Sequence, residues 1–493
     1  MNFRRLALYF AAAMMVFAGC SKVEPEPGPE PHDDNPPDTH MAGDFDYDSH
    51  KVVYEEEFRA AWIATVWNVD WPKQNGSANQ KAELENVIAG LKATGFNAIV
   101  FQVVSLADAM YPSTILPWSA ALTGTQGSNP GFDPLGVAVQ KAHSLGMEVH
   151  AWFNPLRIGS TTAARASNHP YKSHPDWYEE YKDSWYWNPG LPAVRDFLCS
   201  IMKEVVDKYD VDGCHIDDYF YPSGLKSSAL TWDDTAEFNQ YGSGKTKDKW
   251  REGNINELIK GYFNTVHKSK PSAVFGVSPA GRLELTRNLY ADPAQWVPAG
   301  TIDYLAPQIY WDHLRNDFAD FDTVLPQWLA ISGNVPVLPG LAAYKVSSSS
   351  EKTFYNNPAE LGYQVGVCRG EPKVLGNIWY NTTALKTSTV ANYVKANVYQ
   401  EKVLTPRLGT TPAELTAPAV SNDGNRILWS ESSSADDYVV LKLVRRSSTS
   451  KEWVAKIVYE GAARYYDGKS GEYYIVIARS GAARSSFSEV IAL

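Results

Sequence analysis

From Glu57 onward the chain repeats one pattern eight times: a short apolar run rich in β-branched and aromatic residues, then a segment with helical spacing. The runs fall at residues 58–67, 97–104, 148–154, the stretch 211–222, 273–279, 303–311, 336–344 and 376–381. Between the first two, Leu84, Val87, Ile88 and Leu91 recur at helical intervals, and Gly95 follows as a left-handed stop. Residues 134–145 close the same way at Gly146, and 192–209 form a long helix leading into the fourth run. Strand alternating with helix predicts a parallel sheet. Eight such repeats predict an α/β fold, a (β/α)8 TIM-type barrel with enlarged loops. An open doubly wound sheet is the alternative, but no G-x-G-x-x-G opens any helix.

After Pro406 the texture changes. Short alternating runs at 426–429, 438–444, 453–459, 473–478 and 488–492 are separated by turn residues, the pattern of a small β-sandwich. At the other end, Arg4 and Arg5 precede an apolar stretch closed by F-A-G-C at Cys20. That arrangement resembles a bacterial lipoprotein signal with lipid attached to the Cys20 thiol. A transmembrane anchor is the alternative, although residues 6–19 are short for a span. Residues 21–50 are rich in Pro, Glu and Asp and bury too little to fold, so they read as a tether. The expected organisation is a signal at 1–20, a tether at 21–50, a barrel at 51–404 and a sandwich at 405–493, held at the bacterial cell envelope.

With 45 basic against 56 acidic residues the net charge is −11, which argues against nucleic acid as a partner. Of the four cysteines, Cys199, Cys214 and Cys368 allow one disulfide at most and are expected as buried thiols. No metal-ligand spacing stands out, and no cofactor is expected. Sixteen Trp and 28 Tyr suit a cleft that stacks on sugar faces, a weak signal alone because large cores also use them.

A parallel barrel gathers chemistry at the C-terminal ends of its strands. The fourth run, V-D-G-C-H-I-D-D-Y-F-Y-P, ends in adjacent carboxylates, Asp217 and Asp218, among aromatic rings. Val211, Cys214 and Ile216 can face a packed wall, while His215 and Asp217 fall on the face opposite Cys214 and Ile216. Carboxylates are rarely sequestered unless paired or working, although a strand-end Asp can also cap a loop. Glycosidic-bond hydrolysis needs one ionised and one protonated carboxyl group. Asp217 is the expected nucleophile or base, kept ionised by His215, with Asp218 its competitor. Asp312, near Tyr310 and Trp311, is the expected acid, with its pKa raised by an apolar setting; Asp70 and Asp292 are weaker candidates. Other strand ends offer substrate contacts: Gln102, Trp152, Asn154, Arg157, Gln308, Tyr310, Trp311, Trp379 and Asn381. Each of these Trp residues has barrel filler as its alternative reading. His169 and His174 are expected to stabilise their loop.

The segments R-A-A-W-I-A-T-V-W-N-V-D-W-P, H-A-W-F-N-P-L-R, H-P-D-W-Y and W-N-P-G-L-P-A-V-R-D-F resemble the bacterial glycosyl-hydrolase-like family ten. So do V-D-G-C-H-I-D-D-Y-F-Y-P, Y-A-D-P-A-Q-W-V and D-Y-L-A-P-Q-I-Y-W, and the resemblance runs over residues 58–381. It implies a β/α barrel, often secreted or lipid-anchored, with one branch cutting peptidoglycan glycan strands stripped of peptides. Asp217, Asp218, Gln308 and Tyr310 fall in its most typical motifs, while Cys214 stands where a branched aliphatic residue is commoner. The segment Y-Y-D-G-K-S-G-E-Y-Y-I-V-I-A-R resembles the late strands of a fibronectin type III domain. The expected partner is therefore a cell-wall glycan. Hydrolysis of a dietary or host polysaccharide and non-catalytic glycan binding are the alternatives.

Overall fold

A computed structural model describes residues 51–228, 231–314, 319–409, 415–447, 450–481 and 483–493. Eight parallel strands form one sheet: β1 (Phe58–Ile63), β2 (Ala98–Val104), β3 (Glu148–Phe153), β4 (Gly213–Ile216), β5 (Val274–Val277), β6 (Tyr304–Leu305), β7 (Gly340–Ala342) and β8 (Gly376–Tyr380). The order runs β6-β5-β4-β3-β2-β1-β8-β7. The two ends meet through a parallel bridge between Leu305 and Val337 and the Gly340 amide on the Pro307 carbonyl at 2.8 Å. The sheet is a closed barrel, as the eightfold repeat predicts.

Helices α1 (Ser77–Thr94), α2 (Pro134–Ser144), α3 (Pro192–Lys208), α4 (Lys247–Ser269), α5 (Phe321–Ile331) and α6 (Ala359–Arg369) wrap the outside. Helix α1 ends at Gly95, whose φ of 102° suits glycine and whose missing side chain admits Tyr399; a Cβ there would lie 2.7 Å from the Tyr399 Cβ. Strand residues alternate between two cores. Ile99, Phe101, Cys214, Ile216, Val277, Leu305 and Trp379 face the helices. Phe58, Ala60, Trp62, Val100, Trp152, Tyr304 and Ile378 fill the barrel. Leu408, beyond the last strand, joins that interior cluster and helps close the barrel floor.

The C-terminal strands form two further sheets. Val420–Asp423, Arg426–Trp429 and Tyr465–Asp467 make one. Asp437–Arg445, Glu452–Gly461 and Tyr473–Ser480 form the centre of the other. The expected start of the barrel at residue 51 is corrected here. Lys51–Tyr54 runs parallel to Glu452–Gly461, from Lys51 opposite Glu452 to Tyr54 opposite Ala455, so the barrel begins at Phe58. Cys214 and Cys368 are buried free thiols and Cys199 is a partly buried one, which forms no disulfide. Among the described residues no helix is long and apolar enough to cross a membrane. Cys20, the signal and the tether lie outside the described residues.

Candidate active site

Strand β4 enters the barrel between β3 and β5 and delivers Asp217 one step beyond Ile216, on the same face as His215. Asp217 is 4% exposed. Its Oδ2 accepts the Trp152 indole N–H at 3.0 Å, and its Oδ1 accepts the Tyr219 amide at 3.3 Å. Burial, reinforced by the charge of Asp218, pushes the Asp217 carboxyl up to about 7, against the opposing pull of Arg157 and the two hydrogen bonds. Asp218 is also raised by burial, while a hydrogen bond from Gln308 and the charge of Arg157 favour its ionised form. Of the two, Asp217, pushed up to about 7, is the carboxyl able to hold a proton toward neutrality. Where the sequence suggests an ionised Asp217, the burial of the carboxyl favours a proton donor instead.

His215 does not assist it. Trp62 Nε1, which can only donate, gives its proton to His215 Nε2 at 3.2 Å, so His215 Nδ1 carries the ring hydrogen and donates to Tyr304 Oη at 2.9 Å. The Tyr304 hydroxyl then donates to His150 Nδ1 at 2.9 Å, and His150 Nε2 donates to Glu148 at 3.3 Å. Desolvation holds His215 far below its ordinary pKa, hence neutral. Its role is to order the barrel interior, and it presents neither charge nor a free nitrogen to Asp217.

Above the pair sits Arg157, at the start of a three-stranded loop sheet (Arg157–Ser160, Ser184–Trp187, Tyr178–Tyr181) inserted after β3. Its guanidinium lies 3.8 Å from the centre of the Tyr219 ring and 5.3 Å from that of Trp67. Trp67 is 70% exposed and stands at a turn with φ of 49°. Gln102 shapes that turn from beneath: its Oε1 accepts the Thr65 and Val66 amides at 3.0 and 2.9 Å, so it positions the loop and does not face substrate through that oxygen. Asn154 Oδ1 accepts the Arg157 amide at 3.1 Å, leaving Asn154 Nδ2 buried without a partner, as are Arg157 Nε and Ser278 Oγ. Gln308 donates to the Ser278 carbonyl at 3.2 Å. Tyr310 stacks on Tyr380 at 6.0 Å, with Tyr344 edge-on to both, and Tyr310 responds to the charges of both carboxyls.

Four expected site residues, and both weaker acid candidates, take other roles. Trp379 is fully buried on the helix side, donating to Tyr399 Oη at 2.9 Å. Trp311 packs against the same outer core. Both assignments miss by one residue of strand register; the neighbours Tyr310 and Tyr380 carry the inward positions. Asp312, the expected acid, accepts the Leu314 amide at 3.0 Å and closes a turn of its own loop. Asn381 caps the helix Thr382–Leu385 by accepting the Ala384 amide at 3.3 Å. Asp70 accepts the Ala64 and Thr383 amides and ties β1 to the loop after β8, and Asp292 pairs with Arg287. His169 caps the helix Pro170–Ser173, and desolvation lowers its pKa to about 3; His174 stacks on Trp177 at 3.6 Å. Tyr380 and Tyr344 are missing from the sequence reading, although alternation from Ile378 identifies Tyr380.

No group of three or more metal-ligating side chains occurs among the described residues. A separate cavity of about 200 Å³ lies at the opposite end of the barrel, between Asp212, Lys270, Leu408 and the C-terminal sheets, and holds none of these residues.

Residues 57–356 match the model of the family described as glycosyl hydrolase-like 10. The glycosyl hydrolase YngK of Bacillus subtilis is 35% identical over 405 residues, covering 75% of this chain and 78% of that protein. The glycosyl hydrolase DigH of Escherichia coli K12 is 32% identical over 445 residues, covering 80% of this chain and 97% of that one. With the carboxyl pair at the mouth of a closed β/α barrel, these matches establish that the chain belongs to the glycosyl hydrolase-like 10 family and is a hydrolase of glycosidic bonds.

Proposed function

We propose that this enzyme cleaves the peptide-free glycan strands of the bacterial cell wall, or a closely related amino-sugar polymer. The observation that carries the reading is Asp217, a nine-tenths-buried carboxyl that burial pushes up to about 7, beside a second carboxyl at the barrel mouth. Asp217 gives its proton to the glycosidic oxygen as the bond to the anomeric carbon breaks, Asp218 supplies negative charge to the oxocarbenium-like transition state, and water adds to the anomeric carbon, its proton restoring the acid. The Trp152 N–H then steadies the carboxylate left on Asp217. Trp67 and Tyr219 offer aromatic faces on the entry side, and Tyr380 on the β8 side, suited to sugar rings.

We place the enzyme at the cell envelope, anchored through Cys20, on the strength of the sequence signal. The C-terminal sheets are read as fibronectin type III-like because strands 420–423, 426–429 and 465–467 separate from 437–445, 452–461 and 473–480. The test is incubation with purified peptide-free strands and mass analysis of the products. Shortened oligosaccharides from the wild type and none from Asp217→Asn support the reading; intact strands with both refute it.

A further inference from the structure

Arg157 is 7% exposed and forms no ion pair among the described residues, and its Nε has no hydrogen-bond partner. Such a charge is costly to bury unless something answers it. The two nearby carboxyls feel its charge but answer it only in part, since burial raises both. Beside it, Asn154 is 5% exposed and its Nδ2 is also unpartnered. Two buried donors, Arg157 Nε and Asn154 Nδ2, thus stand without acceptors at the cleft, one of them on a cation 3.8 Å from the centre of the Tyr219 ring.

We propose that Arg157 and Asn154 form a subsite for a carboxylate carried by the sugar next to the cleaved bond. The free edge of the guanidinium at Nε matches a carboxylate in two parallel N–H to oxygen bonds, with the Asn154 amide as a third donor. A neutral hydroxyl would leave the cation uncompensated. This inference rests on the proposed function, in which the candidate group is the lactyl ether carboxylate of a peptide-free strand. It also supplies the reason for preferring such strands: joining a peptide there turns the carboxylate into an uncharged amide.

The experiment compares kcat/KM of the wild type on peptide-free strands, on the same strands with their carboxylates methyl-esterified, and on neutral chitin oligosaccharides. A charge-assisted pair predicts a preference for the free acid over the ester of roughly tenfold to a hundredfold. In Arg157→Gln that ratio falls toward one, and in Arg157→Lys, which keeps charge without the planar fork, it takes an intermediate value. Binding of free-acid and ester oligomers to Asp217→Asn, read by calorimetry, should show the same preference without turnover. Equal wild-type activity on acid and ester overturns the subsite while leaving the proposed function standing. No activity on any of the three polymers overturns the proposed function itself. Because the wild-type ratio alone is decisive, a variant that fails to fold does not rescue the proposal.

Discussion

Replacing Asp217 by Asn should cut turnover by orders of magnitude and, at neutral to alkaline pH, stabilise the fold. Burial and Asp218 lift the carboxyl from 3.8 to about 7. That displacement corresponds to about 4 kcal/mol, an order-of-magnitude ceiling. A group whose folded pKa is raised contributes most below its unfolded pKa, and that contribution is lost as pH rises through the folded value. Below about pH 4 both states are protonated and the carboxyl is neutral to stability. Between about pH 4 and 7 the unfolded chain releases its proton while the folded protein retains it, so wild-type stability falls by ~1.4 kcal/mol per pH unit. Asn keeps an oxygen for the Trp152 N–H and carries no charge, so it escapes this loss. Urea unfolding of both proteins at several pH values should show near-equal stability at pH 4 and a gap in favour of the variant that widens to a plateau above about pH 7. Turnover should fall by a factor of about 10² to 10⁴. A stability gap that does not grow with pH would refute a buried, proton-holding Asp217, and with it the assignment of the acid.

The other predictions separate roles that the structure keeps apart. Trp152→Phe removes an N–H that favours the ionised form of Asp217, so the alkaline limb of the kcat/KM profile should move to higher pH; an unmoved limb would show that the contact does not govern the titration. Trp379→Ala should cost about 3–5 kcal/mol of stability, read by denaturant unfolding, with KM little changed in the protein that remains folded. Tyr380→Ala should instead raise KM, since its ring lies with Tyr310 and Tyr344 on the cleft side. Truncation after residue 404 removes Leu408 from the barrel floor, the strand partner of Lys51–Tyr54 and the Glu460 carboxylate that pairs with Lys92 at 3.2 Å. The shortened chain should melt well below the full-length protein; an unchanged melting temperature would mean the two parts are energetically independent.

The barrel was legible because each strand is a run buried on both faces, and hydrophobic content survives any error of phase. Placement of site residues depends on phase, and there the outcome was uneven. In the fourth run Cys214 and Ile216 are small and apolar while His215 and Asp217 are polar, so chemistry marks the faces. In the eighth run Ile378, Trp379 and Tyr380 all suit an interior, and only the barrel cluster that claims Ile378 shows that Tyr380 faces inward and Trp379 outward. The sixth run has the same ambiguity at Tyr310 and Trp311. Its long loop also hides whether Asp312 reaches the cleft or caps its own turn. Protonation was illegible for a different reason. The sequence shows His215 two residues from Asp217 and suggests a supporting cation. Whether that imidazole is charged depends on Trp62 and Tyr304, which arrive from β1 and β6 and already occupy both ring nitrogens.

The same distance from sequence explains why Arg157 matters more in the fold than in the string of residues. Beside Asn154 and Leu156 it reads as one polar position in a loop. The fold removes it from water, stacks it on Tyr219 from another strand end and leaves it beside two carboxyls that resist ionisation. If Asp217 keeps its proton, only the partial answer of Asp218 remains for the cation, and a substrate carboxylate can complete the balance. If Asp217 were ionised, the site would be anionic and would repel that group. The pH profile of Asp217 and the carboxylate preference at Arg157 are therefore linked: above about pH 7 both proton donation and affinity for an acidic sugar should weaken together. A free-acid preference that persists unchanged at pH 9 would separate the two groups and show that Arg157 is balanced without reference to Asp217.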